Sequence, residues 1–127
     1  PARIASPDID ESPRKGELPR AYALRMASEK AAAVARADGE VVLAGDTVVA
    51  LGRRILPRAA DAAEVAQCLT LLSGRRHRVY SAIALVDAHG QQRTRLSETI
   101  LTFKRLHPDE IAAYAASGEG EGKAGGY

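Results

Sequence analysis

An acid sits inside an apolar run at Val41-Val42-Leu43-Ala44-Gly45-Asp46-Thr47-Val48-Val49. A carboxylate in such a run resists burial unless it is paired, hydrogen-bonded or holding a metal. Asp46 is therefore either a turn residue at a strand end or a site residue. Strand ends are where sites gather in α/β folds. Four other charged side chains stand where they can serve such a site. Glu11 lies in a polar approach segment, Lys30 in an Ala-rich helical stretch and Arg58 just after Pro57, while Lys123 lies in a flexible glycine-rich segment. An acid set with separated cations suits a phosphate ester. Acids hold Mg²⁺ and activate or orient water, and cations neutralise charge developing on phosphate oxygens. Each residue also has a plainer reading: Glu11 as a solvated acid, Lys30 as the polar face of its helix, Arg58 and Lys123 as loop charges.

Other chemistries find little support. The single cysteine, Cys68, falls in a helical pattern with no acid or histidine at a catalytic or metal-ligand spacing, so it reads as a small core residue. One cysteine allows no intrachain disulfide, which fits a reducing compartment. His77, His89 and His107 are scattered, and nothing suggests zinc. The tail from Gly120 to Gly126 has neither the G-x-x-x-x-G-K-[ST] nor the G-x-G-x-x-G spacing. No G-x-S-x-G elbow exists. The 18 Lys and Arg against 16 Asp and Glu leave a net charge of +2, too weak to argue for nucleic acid. No 18-residue apolar stretch and no signal peptide are found, so a cytoplasmic protein with no membrane partner is expected.

The elements that would position these residues follow from periodicity. Residues 1–18 read as an extended or loop segment. Pro19 opens a helix at a position that needs no N–H. Leu24, Ala27, Ala31 and Val34 recur at helical spacing until Asp38-Gly39, and Arg25 and Glu29 can pair on the exposed side. A buried strand is predicted over 41–45, with 47–51 as its continuation or a second strand. Gly52-Arg53-Arg54 turns the chain before Ile55-Leu56. Asp61 with Glu64 makes a capping-box-like start to a second helix, which presents Val65, Leu69 and Leu72 and ends at Gly74. Residues 78–87 read as a strand with Val79, Ile83 and Leu85 on one face. His89-Gly90 turns it into a second strand over 92–105, in which Leu96, Ile100 and Phe103 break strict alternation and imply a bulge. Pro108 starts a third helix and Gly118 ends it. The composition, 46 % hydrophobic with one Phe and no Trp, suits Ala-rich helices on a Val/Leu/Ile sheet. At 127 residues, a single α/β domain is expected over 1–127.

The order of segments narrows the reading further. Asp10-Glu11-Ser12-Pro13 precedes Ala27-Ser28-Glu29-Lys30-Ala31. Then come Gly45-Asp46-Thr47-Val48-Val49, the stretch Leu71-Leu72-Ser73-Gly74-Arg75-Arg76-His77-Arg78-Val79-Tyr80-Ser81, and Lys123-Ala124-Gly125-Gly126-Tyr127. This series resembles the Maf family of nucleoside triphosphate pyrophosphatases, in register over residues 8–127. The resemblance implies a mixed α/β fold with an elongated, curved sheet flanked by helices, similar to the inosine triphosphate pyrophosphatases. It implies hydrolysis of a nucleoside triphosphate between the α and β phosphates, with Mg²⁺, Mn²⁺ or another divalent cation. On this basis Asp46 and Glu11 are the catalytic acids and metal ligands, and Lys30, Arg58, Lys123 and Thr47 face the phosphates or substrate. Which acid is base and which is ligand stays open. A cytoplasmic homodimer with a link to septum formation or nucleotide-pool cleansing is implied too.

The chain departs from the family pattern in places. Ile55-Leu56-Pro57-Arg58 stands where many members have Gly-Lys-Pro, so Arg58 offers a planar fork instead of a point charge. Ser81 replaces a common Thr, and Gly122 replaces an Asp, which loosens that loop. Family members also carry a Ser-x-Ser-Pro-Arg-Arg loop and an Ile-Gln-Gly element, neither of which is present here. The expectation is a fold incomplete at both ends, with poor activity and stability. Asp46-Thr47 favours dTTP and UTP over 7-methyl-GTP, whose branch shows Asp-Gln there. A non-catalytic member that binds a nucleotide or partner is the competing reading. A basic RNA-binding module is disfavoured by weak charge and few stacking aromatics.

Overall fold

The computed structural model describes residues 2–127. Its elements run α1 (Pro19–Ala33), β1 (Val42–Leu51), β2 (Arg54–Leu56), α2 (Ala62–Leu72), β3 (Arg76–Val86), β4 (Gln92–Thr102) and α3 (Pro108–Ser117). The fold is mixed α/β with an open antiparallel sheet in the order β2-β1-β3-β4. A tight turn at Gly52-Arg53 pairs β1 with β2 in the register Val49 to Leu56, Ala50 to Ile55 and Leu51 to Arg54. The chain forms two compact units, one built from residues up to Thr47 with Ser81–Ser97, the other from Val48–Tyr80 with Glu98–Tyr127.

In the first unit α1 starts at Pro19 as expected, but ends at Ala33 rather than at Asp38. Val34 has already turned extended, so it caps the helix and adds nothing to its face. The buried residues are Pro19, Tyr22, Ala23, Met26, Ala27 and Ala31 of α1, together with Ala82 and Ala84 of β3. The expected inward face of β3 was Val79, Ile83 and Leu85. The structure buries the opposite parity from Tyr80 onward and leaves Ile83 exposed. The reason is that β3 is apolar on both sides, and alternation cannot choose a parity when neither face is polar. The turn after β3 is fixed by Asp87, whose carboxylate accepts the backbone N–H groups of His89 and Gln91 at 2.9 Å.

In the second unit Val49, Leu56, Cys68 and Leu72 form one core cluster, with Phe103, Ala124 and Tyr127 against it. Ala59, Val65, Leu69 and Ala115 form another, where α2 packs on α3. Cys68 is the buried core residue its context implied, and burial pushes its thiol pKa up. Asp61 caps α2 through the Glu64 N–H at 2.9 Å, but the Glu64 carboxylate returns to the N–H of Ala60, so the box is displaced by one residue. His107 and Glu110 make a full capping box on α3. In β4 the half-buried side switches from even positions (Thr94, Leu96) to an odd one (Leu101), the loss of alternation expected there.

The glycine-rich tail from Gly120 to Gly126 was expected to be flexible. Instead it is bolted down. Gly122 N–H donates to the Ala59 carbonyl at 2.7 Å, Ala59 N–H to Lys123 at 3.1 Å, and Gly125 N–H to Pro57 at 3.0 Å. Gly125 and Gly126 are buried, and Tyr127 closes the segment. Its hydroxyl lies 2.6 Å from His77 Nε2, and the two rings meet Phe103 edge-on. His77 is buried and its Nδ1 has no partner, so burial holds the imidazole pKa below the usual value.

Candidate active site

β1 runs through residue 46 without a break. Asp46 is therefore neither a turn residue nor a strand terminus. It sits within the strand, on the same side as Val42 and Ala44, while Leu43, Gly45 and Thr47 face outward. Its side chain is 5 % exposed. A carboxylate so placed must be compensated, and Lys30 supplies the charge: its Nζ donates to Asp46 Oδ1 at 2.8 Å. The Lys30 stem lies along α1 and its side chain is 19 % exposed, so the ammonium is brought to the acid rather than into bulk water.

Lys30 Nζ is also 3.3 Å from Glu11 Oε1. Three residues from three separate segments thus meet: the approach segment, α1 and β1. Glu11 differs from Asp46 in being 52 % exposed at its side chain. The pair therefore consists of one sheltered and one accessible carboxylate on a shared ammonium. Charge logic grouped these residues as candidates, and the order of motifs gave the grouping its weight.

Two residues that the sequence reading missed, or read as plain structure, frame this cluster. Tyr22 donates its hydroxyl to the Glu11 carbonyl. Burial, and the charges of Asp46 and Glu11, push its phenol pKa up, so it remains a donor. Arg25 had been read as one half of an exposed pair with Glu29. That pair exists at 3.1 Å, but Arg25 is largely buried and its main partner is Glu17. Nε and Nη2 donate to the two Glu17 oxygens at 2.7 Å each, Nη2 reaches the Ser12 carbonyl at 3.1 Å, and the guanidinium lies 5.6 Å from the Tyr22 ring centroid. Only the spacing of Tyr22 and Arg25, one helical turn apart, hinted that they share a face.

The Glu17–Arg25 bond holds the Glu17 carboxyl far down, to about 2. Its folded pKa lies below the ordinary value of 4.5. The stability it adds is complete above pH 4.5 and is lost as pH falls toward 2. The protection of amides in residues 11–17, taken against their intrinsic exchange rates, should therefore fall over that range, and Glu17→Gln should remove the Glu17 share of that fall. Unchanged acid sensitivity in that variant would assign the effect elsewhere.

In the second unit Arg58 and Lys123 are neighbours through the backbone. Arg58 forms an isolated antiparallel bridge with Ala124, beside the Ala59–Lys123 hydrogen bond. Both side chains are exposed. Thr47 is exposed at the end of the first unit's share of β1. Of the expected set, Glu11, Lys30 and Asp46 form one cluster, and Arg58 and Lys123 form another within their own unit.

Among the described residues no group of three or more His, Cys, Asp or Glu forms a ready cation cage. The donor set at Glu11 and Asp46 fits Mg²⁺ in its other mode, in which one or two carboxylates act with phosphate oxygens and retained waters. No helix among the described residues is long and apolar enough to cross a membrane.

Comparison with known proteins adds a family. The family model described as Maf-like protein matches residues 1–127. A dTTP/UTP pyrophosphatase of Novosphingobium aromaticivorans is 62 % identical over 128 residues, covering 100 % of this chain and 64 % of the relative. One from Sphingopyxis alaskensis is 60 % identical, with 67 % of its length covered. One from Caulobacter vibrioides is 56 % identical, with 66 % covered. The chain thus spans about two thirds of the length of these relatives.

Proposed function

Because the chain belongs to the Maf-like protein family, we propose that it acts as a nucleoside triphosphate pyrophosphatase, hydrolysing dTTP or UTP to the monophosphate and pyrophosphate. The observation that carries this reading is the meeting of Asp46, Lys30 and Glu11 around one ammonium. The printed names of the relatives supply the substrate.

Asp46 is the sheltered acid. It accepts the proton of a water that attacks the α-phosphorus in line, and pyrophosphate leaves on the far side. Lys30 keeps that carboxylate oriented and offers positive charge as phosphate oxygens gain negative charge. Glu11, the more accessible acid, and Asp46 would hold a divalent cation. Mg²⁺, when bound there, supplies charge neutralisation for the triphosphate and its leaving group. The family resemblance assigns Arg58 and Lys123 to phosphate binding and the Thr47 hydroxyl to the substrate. The family resemblance further supports a cytoplasmic homodimer and a link to septum formation, which sedimentation and localisation would test.

The test is product analysis with dTTP, UTP, CTP, ATP, GTP and 7-methyl-GTP in the presence of Mg²⁺. The expected products are pyrophosphate with dTMP or UMP. Turnover of 7-methyl-GTP alone would overturn the substrate. Nucleotide binding without turnover would overturn the reaction and leave a binding protein.

A further inference from the structure

Glu11 poses a physical problem. An accessible Glu side chain in an irregular segment has many conformations, and fixing it at a site costs entropy. Yet its Oε1 sits 3.3 Å from Lys30 Nζ. The structure shows what reduces that cost. The carbonyls of two consecutive residues, Glu11 and Ser12, are each held by a side chain of α1, the first by Tyr22 and the second by Arg25. Arg25 is itself locked by the fork on Glu17, and Glu17 Oε1 also accepts the Arg14 N–H at 3.0 Å. The turn closes with Glu17 N–H on the Arg14 carbonyl at 3.0 Å. Four of the seven residues from 11 to 17, Glu11, Ser12, Arg14 and Glu17, are therefore not required to find their own place; the backbone leading out of Glu11 is held by one helix face.

We propose that Tyr22 and Arg25 are positioning residues, which hold the Glu11–Ser12 backbone so that the Glu11 carboxylate meets a divalent cation at a fixed distance from Asp46. The proposal rests on the pyrophosphatase reading of that cluster. It explains why the arginine is turned inward. A solvated pair with Glu29 would need no bidentate partner and no backbone carbonyl. It also explains why the hydroxyl of Tyr22, at the edge of an otherwise apolar helix face, points to the segment carrying the acid.

The test is a double-mutant cycle read by Mn²⁺ binding, with calorimetry on the full chain. Arg25→Lys keeps the charge and loses the fork, so it cannot hold Glu17 and the Ser12 carbonyl together. It should weaken Mn²⁺ about tenfold, the order found when groups behind a metal ligand are removed. Tyr22→Phe, which keeps the ring and removes only the bond to Glu11, should act in the same direction and raise amide exchange in residues 10–14. In a Glu11→Gln background neither change should weaken Mn²⁺ further. Effects that multiply with Glu11→Gln, or Mn²⁺ affinity unchanged in both single variants, would overturn the proposal. Wild-type protein that takes up no Mn²⁺ would also overturn it. Wild-type protein that binds Mn²⁺ and shows the cycle, but releases no pyrophosphate, would instead overturn the pyrophosphatase reading and leave the positioning intact.

Discussion

Asp46→Asn is expected to lower the rate of pyrophosphate release about a thousandfold, within the range lost when a general base is removed. The fold should survive. Asn has the same shape, its amide oxygen still accepts from Lys30, and Lys30 keeps Glu11 at 3.3 Å. A stability loss of about 1–2 kcal/mol is expected from replacing an ion pair by a bond from the ammonium to an uncharged acceptor. Initial rates with dTTP and UTP, set beside a thermal melt, separate the two effects. A rate near that of the wild type would remove Asp46 from the chemistry. The reciprocal change at Lys30 is the poorer experiment. It removes the ammonium from a carboxylate that is 5 % exposed, and breaking a sheltered ion pair destabilises the fold as well as altering the site. A loss of activity there would not distinguish chemistry from folding.

Gly125→Ala should be strongly damaging to the second unit. Its φ is +71°, where an L side chain is strained by about 1–2 kcal/mol. A Cβ at this position would also lie 2.8 Å from one Val49 methyl and 2.9 Å from its Cβ. Val49 is buried and β-branched, so it cannot swing aside, and overpacking of that kind costs about 1–3 kcal/mol. The sum, about 3 kcal/mol, corresponds to a melting temperature lower by about 10 °C. Gly122→Ala is the control. Its φ is +77°, but nothing lies within 4 Å of the added carbon, so only the backbone strain remains and the fall should be about a third as large. Equal shifts in the two variants would show that contact with Val49 contributes nothing.

These two sites also mark what the sequence discloses. Periodicity and caps located every helix and strand to within a few residues, because Pro19, Asp61 and Pro108 are chemical start signals and Gly74 and Gly118 chemical stops. The parity of β3 was not legible, since both of its faces are apolar. The glycine-rich tail was misread for a related reason. Glycine signals freedom when it stands among polar residues and close approach when it stands against a core, and composition does not distinguish the two. At the site, Asp46 announced itself by being charged within an apolar run. Lys30 and Glu11 were candidates by charge alone, and the order of motifs raised them above their plainer readings, for no local rule joins residues so distant in the chain. Tyr22 and Arg25 escaped because an aromatic and a basic residue on a helix have ordinary explanations, and only contact with a distant backbone distinguishes them.

The ammonium of Lys30 carries one more consequence, for how the protein is made. Many two-carboxylate centres repel themselves until an ion arrives, so that folding and metal supply become one event. Here the counterion is covalently part of the chain. The nascent polypeptide can close its acidic centre as soon as α1 and β1 exist, whatever the ionic state of its surroundings. Closure of this centre then needs no metal delivery, and chelating divalent cations should leave the melting temperature of the protein unchanged.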